Sequence, residues 1–238
     1  MRYLRRILSV IIGICIIGCV LLYSLYRASQ SVPEFYLEAL ESEPASATIA
    51  SDELQRHVLE LRQELQHGEN WELALTDEQV NGWLATDLPE KFPGLLPSQL
   101  EAPRVAFRDD AIRVACRVNL GKLKAVASFK LIPTLTEDPN KLAVRLSGVK
   151  AGRLPLPLES ILAQVSTAAS RSGIPLEWTN DAGDPVAVVT IPTERPELRR
   201  GVVVQSLTVM DGGFRVAGIA DMPQRIAESS VSFSRDHR

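Results

Sequence analysis

The residues best suited to catalysis or metal binding in this chain of 238 residues are three histidines, three cysteines and a few loop carboxylates. His57 and His67 stand ten residues apart, about 80° apart around a helix, and no Cys or carboxylate completes a metal-ligand spacing with them. They read as solvated helix histidines, and His237 belongs to the C-terminal tail. Cys116 falls inside an alternating apolar run, the position of a small buried hydrophobe, whereas a reactive thiolate needs an accessible, electropositive setting. Cys15 and Cys19 lie in an uncharged stretch, so Cys116 has no disulfide partner in the rest of the chain. The Asn180-Asp-Ala-Gly-Asp184 segment offers oxygen donors but lacks the spacing and terminal Glu of an EF-hand loop, and reads as a turn. No G-x-S-x-G elbow, P-loop or dinucleotide fingerprint occurs. These residue types point away from enzyme chemistry, and no metal or cofactor is expected.

Two surfaces hold the remaining functional interest. Cys116, Val118, Ala125, Ala127, Phe129 and Val144 share one face of the expected strands, and Leu158, Ile161, Leu162 and Val165 recur at helical spacing. Together they could close around an acyl chain, or pack as an ordinary core; the stripes look the same in sequence. On the opposite strand face stand Arg113, Arg117, Lys122, Lys124, Lys130 and Arg145. That set suits an anionic partner such as lipid headgroups or an envelope polymer. Its bland reading is a solvated face with edge-protecting lysines.

The elements that must position these residues follow from periodicity. Leu54, Val58, Leu61 and Leu65 predict an amphipathic helix over 51–67, capped by Ser51 and stopped by Gly68. Trp71, Leu73 and Leu75 alternate as a strand running directly into a helix at Thr76. There Thr76 and Gln79 have capping-box spacing, and Leu75 and Val80 that of a hydrophobic staple. Pro89, Pro93 and Pro97 end that helix and keep the following connection irregular.

From Ala102 the period becomes two, with an Asp109-Asp110 turn, then Ile112 to Leu120 and Leu123 to Leu131 alternating apolar and polar. Leu142, Val144 and Leu146 take the apolar role after the turn at 137–140. The pattern is an antiparallel meander with one buried and one wet face; Gly121 fits a hairpin or a bulge equally. A second amphipathic helix runs from Leu158 to about Arg171. Short strands follow near Leu176 to Trp178 and Val186 to Ile191, then a hairpin turning at Asp211-Gly212-Gly213.

Ahead of all this, Ile7 to Tyr26 carries no charge and is flanked by Arg2, Arg5, Arg6 and Arg27. A helix of that length spans roughly 30 Å, the thickness of a bilayer's hydrocarbon core. Three arginines before it, and one followed by Glu34, Glu38, Glu41 and Glu43 after it, place the N-terminus in the cytoplasm and the domain outside. Two processing alternatives stand beside an uncleaved anchor. Ala45-Ser46-Ala47 has a cleavage-site pattern but lies far downstream, and Ile16-Ile17-Gly18-Cys19 resembles a lipobox although the apolar run continues past it. With four of the 26 cations flanking the span, 22 remain against 29 Asp and Glu. So acidic a remainder is a poor nucleic-acid binder.

Leu75-Thr-Asp-Glu-Gln-Val-Asn81, the strand pair around Arg108-Asp-Asp110, and Gly152-Arg-Leu-Pro-Leu-Pro157 before a helix resemble the YpmS-like family of bacterial single-pass membrane proteins. The resemblance covers roughly Trp71 to Ala169; it implies one external domain at the bacterial cytoplasmic membrane and supplies no active site. More distantly, the pattern looks like tubular lipid-binding domains, an analogy of fold alone. The expected organisation is α+β: an N-terminal transmembrane helix followed by an antiparallel curved sheet packed with two or three helices. Residues 1–6 are expected in the cytoplasm, 7–26 as the span, 27–50 as a stalk, 51–222 as the domain and 223–238 as a disordered tail. The expected role is a non-catalytic, membrane-anchored domain binding a lipid or other apolar ligand. The alternative is a module that recruits an anionic partner through the basic strand face.

Overall fold

The computed structural model describes residues 31–41, 43–67, 70–120, 123–138, 140–155, 158–171, 173–191 and 201–221. The expected span with Cys15 and Cys19, the Gly121-Lys122 pair and the tail with His237 lie outside the described residues. Among those described, no helix is long and apolar enough to cross a membrane.

The fold is α+β with antiparallel sheets. In chain order it runs α1 (Glu34–Leu40), α2 (Pro44–His67), β1 (Asn70–Thr76), α3 (Asp77–Ala85), α4 (Asp87–Lys91), β2 (Leu100–Arg108), β3 (Ala111–Leu120), β4 (Leu123–Leu135) and β5 (Lys141–Ala151). It continues with β6 (Leu154–Pro155), α5 (Leu158–Arg171), β7 (Leu176–Asp181), β8 (Asp184–Thr190), β9 (Gly201–Met210) and β10 (Gly213–Asp221). The main sheet has the order β2-β3-β4-β5-β8-β7, with β6 pairing β5, and a separate three-stranded sheet has the order β1-β10-β9. Five helices among the described residues exceed the two or three expected, because α1 and α4 are too short to show a periodic stripe.

Local signals set most boundaries. The capping box forms: Gln79 N donates to Thr76 Oγ1 at 3.2 Å and Thr76 N to Gln79 Oε1 at 3.1 Å, starting α3 directly after β1. At the β2–β3 turn both Asp109 and Asp110 take positive φ, 53° and 55°, the geometry that matches a two-residue hairpin to strand twist. Leu120 pairs with Leu123, so β3 and β4 are two strands.

The second helix starts earlier than expected. Pro44 occupies its first position, where a missing N–H costs nothing, and an Ala-rich turn carries the helix into the predicted stretch. Ser51 is therefore interior to α2 and almost completely buried, and caps nothing. Its hydroxyl donates to Asp87, which also accepts from Gln55 Nε2 at 3.1 Å and pairs with Lys91. α2 crosses α3 where Ala47, Ala50 and Ser51 meet Gly82; a Cβ on Gly82 would stand 2.5 Å from the Ala47 carbonyl oxygen. One residue earlier, Asn81 lays its amide along the edge of β2. Nδ2 donates to Val105 O and Oδ1 accepts from Val105 N, both at 2.8 Å, as a neighbouring strand would do.

The second sheet covers the apolar face of the first. β9 contacts β2, β3 and β4, Phe214 stacks on Phe107 at 6.0 Å, and Gly212 N donates to Phe107 O at 2.9 Å. The expectation that the opposite face is wet holds at Arg117, Lys124 and Lys130, which are exposed, and fails where α1 docks. Ala115, between Arg113 and Arg117, is wholly buried with Val126, because α1 lies across them and inserts Tyr36. The segment expected as a stalk thus contains a helix docked on the sheet.

Two outcomes follow. Gly82→Ala gains about 1 kcal/mol of helix propensity, but a backbone carbonyl 2.5 Å away costs more than that, by about 1–2 kcal/mol net, seen as a lower urea midpoint. The second concerns Asp87, where hydrogen bonds from Lys91 and then Ser51 hold the carboxyl below the ordinary carboxylate range against the opposing effect of burial. A depressed folded-state value means its stabilisation is complete above the unfolded pKa of about 4 and is lost as pH falls through the folded value. Asp87→Asn should be less stable than wild type at neutral pH and lose less stability on acidification, measured by urea unfolding at several pH values.

Candidate functional site

The docking of α1 creates the cleft of greatest chemical interest. Tyr36 fills the depression over Ala115 and Val126, with Phe35 and Leu40 packed around it. Its hydroxyl donates to Ala102 O at 2.9 Å, and burial pushes the phenol up, against the lowering by the Arg117 and Arg104 charges. Ala102 has φ +47°, a strained left-handed conformation for a residue with a Cβ. It sits where the β2–β3 register shifts between Glu101 and Arg104. Arg104 Nε completes the clamp by donating to Ala39 O at 3.1 Å, a cation on a carbonyl of the last helical turn.

Beside this contact lies a cleft of about 400 Å³. Glu34 and Glu38 of α1 form one wall, Ser128 and Gly148 line its base, and Arg108, Arg113, Lys130 and Lys150 converge on it from four strands. The register explains the convergence. Arg113 on β3 stands directly opposite Lys130 on β4, a like-charge pair that is unfavourable unless something negative sits near it. Lys150 arrives through a bulge. Ser128 pairs with Lys150 and Lys130 with Ser147, so Gly148 and Val149 oppose one residue, and Gly148 has φ +62°. That is the conformation in which glycine opens a bulge. The slip reverses strand parity, burying Val149 on the apolar side and turning Lys150 into the cleft.

Two donors at this base have no partner. Ser128 is 4% exposed, and among the described residues neither its Oγ nor Arg113 Nε has a hydrogen-bond partner. Leaving a buried polar group unpaired costs about 1–3 kcal/mol. Elsewhere the guanidinium of Arg113 pairs with Asp109, and Arg108 lies 4.0 Å from Glu38. What the arrangement can do is present N–H, O–H and ammonium donors to the oxygens of an anion.

The residues singled out in sequence are only partly brought together. Of the basic set, Arg113 and Lys130 line this cleft. Arg117 and Lys124 line another, at the far end of the same strands with Val32. Arg145 pairs with Asp181 on β7, and Lys122 lies outside the described residues. Of the apolar set, Cys116 is buried and its thiol is pushed up to about 11 by burial. Val118, Ala125, Ala127, Phe129 and Val144 are half-buried. Leu158, Ile161, Leu162 and Val165 lie on α5, which is held to β7 by Trp178 Nε1 donating to Ser166 Oγ at 2.8 Å; the side chain of Ile161 is outside the described set. α5 packs on β7, with β5 and β8 between that strand and β4, and β9 packs on β3 and β4. His57 is half-buried, contrary to its solvated reading. The Asn180 to Asp184 turn is the β7–β8 hairpin, with Gly183 N donating to Asn180 Oδ1 at 3.0 Å.

Arg108, Ser128 and Lys150 were missed in sequence, as were Glu34, Tyr36 and Glu38. The Phe35-Tyr36-Leu37 cluster was a usable signal for a docked segment, and Gly148 inside a strand for a bulge. No protein-family model matches the chain, and no curated protein or solved structure is significantly similar to it.

Tyr36→Ala should cost about 3–5 kcal/mol, as for a buried aromatic removed from a filled depression, with faster amide exchange in α1. Tyr36→Phe, losing one hydrogen bond, should cost about 1 kcal/mol and leave α1 protected.

Proposed function

We propose that the chain is a membrane-anchored, extracytoplasmic, non-catalytic binding module that takes an anionic group in the cleft beneath α1. Ile7 to Tyr26 is its span, with the N-terminus in the cytoplasm, the layout of the YpmS-like family it resembles. The observation that carries the ligand is the pair of unpartnered donors, Ser128 Oγ and Arg113 Nε. They sit at the base of a cleft where Arg113 and Lys130 face each other across two strands. An anion in the cleft relieves the like-charge contact, and a shift of the side chains that cover Ser128 Oγ and Arg113 Nε would let it satisfy those donors too. A phosphate or carboxylate of a lipid headgroup or envelope polymer has the required chemistry. The bulges near Glu101 and Ser128 support the curved sheet expected of this fold.

A second reading keeps the apolar ligand. Val118, Ala125, Ala127, Phe129 and Val144, on the face that β9 crosses, are half-buried rather than sealed. An acyl chain along that face would bury surface that packing leaves partly open.

The full chain in lipid nanodiscs should unfold at higher temperature as inorganic phosphate is added, by mass action on the folded state. The double variant Lys130→Glu, Lys150→Glu should show no such rise. An equal response of wild type and variant would remove the cleft from consideration. Copurified lipid seen by native mass spectrometry, unchanged in the double variant, would favour the apolar reading.

A further inference from the structure

Opposite the Asp109-Asp110 hairpin, the other end of the main sheet gathers features unrelated to the anion cleft. Val32, the second described residue, lines a cleft of about 330 Å³ with Glu101, Arg117 and Val118. Glu101 also borders an apolar groove of about 430 Å³ whose walls include Leu88, Phe92, Leu96 and Leu100. The two are therefore contiguous. Phe92 is 48% and Leu95 59% exposed, yet the loop that carries them is fixed. Leu95 N donates to Phe92 O, Leu100 N to Pro97 O and Asn119 N to Gln99 O, at 3.1, 2.8 and 2.8 Å. A rigid loop holding large apolar side chains outward has a surface to meet.

The chain's connectivity names that surface. From Tyr26, the last residue of the apolar stretch, to Ser31 is five residues, a reach of at most about 18 Å when fully extended. We infer that this end of the sheet rests on the bilayer, with Phe92 and Leu95 inserted at the headgroup–acyl boundary. The inference rests on the anchor proposed above. Glu101 stands opposite Arg117 in the β2–β3 register, while Lys124 and Arg104 also line the two clefts, so apolar insertion makes the contact and attraction to anionic headgroups adds to it. The orientation then points the anion cleft sideways along the membrane and the 137–140 turn away from it.

The test uses the full chain in vesicles, with Cys15, Cys19 and Cys116 replaced by Ala. A polarity-sensitive fluorophore is attached through Phe92→Cys, Leu95→Cys or, as the distal control, Glu137→Cys. Labels at 92 and 95 should emit at shorter wavelength and be quenched by lipids carrying nitroxides on their acyl chains, in zwitterionic and anionic vesicles alike, while the label at 137 stays aqueous. Labels equally aqueous at all three sites, on a chain that floats with the vesicles, would overturn the docking and leave the anchor standing. A chain that does not float with vesicles overturns the anchor, and the docking with it.

Discussion

Tyr36 seated on Ala115 is the contact on which the rest of this domain's character depends. The strand face beneath it carries Ala106, Ala115 and Ser128 among arginines and lysines, so small side chains leave a hollow in a charged surface. Water in that hollow would face methyl groups; a tyrosine ring fills it and sends its hydroxyl on to Ala102. Once the ring is in place α1 must follow, and its acidic residues, Glu34 and Glu38, become the wall of a cleft whose other walls are basic. A helix of only seven residues has little stability of its own. It is ordered here by Tyr36 and by the Arg104 clamp on its last turn.

The parts legible in sequence were those decided by neighbours in the chain. Thr76 and Gln79 cap each other across one turn, Asp109 and Asp110 adopt the conformation their hairpin demands, and Leu158 to Arg171 folds as its stripe requires. What stayed hidden was decided at long range. Nothing local distinguishes Ala115 as the site of a helix contact from Ala115 as one small residue in a wet alternation. Ser51 has the composition of a cap and becomes a buried donor because Asp87, from a separate helix, needs it. Alternation along β5 puts Lys150 with the apolar residues, and only the slip at Gly148 reverses it. A two-residue period is reliable until a bulge shifts its phase, and the residue that shifts it here also assembles the cleft.

The basic strand face accordingly divides into two places of different character. At the Arg113 end the cations outnumber the acids that line the same cleft, and buried donors lack partners. At the Arg117 end Glu101 stands opposite the cation, and Lys124 lines the same cleft with Val32, Val118 and Ala125. One composition gives two environments because register and neighbours, not residue type, fix what each charge meets.

The energies of the contacts around α1 decide how an anion would enter. The Arg108–Glu38 pair is exposed and long, and such pairs contribute less than about 1 kcal/mol. Unseating Tyr36 would forfeit about 3–5 kcal/mol. An anion entering the proposed site would therefore displace Glu38 from Arg108 and leave the helix docked, exchanging one carboxylate for another negative group. Because α1 begins at Glu34, eight residues after Tyr26 at the end of the proposed anchor, a docked α1 would also limit the height of the cleft above the bilayer. Ligand access and membrane position are then set by a single side chain in a hollow made of alanine.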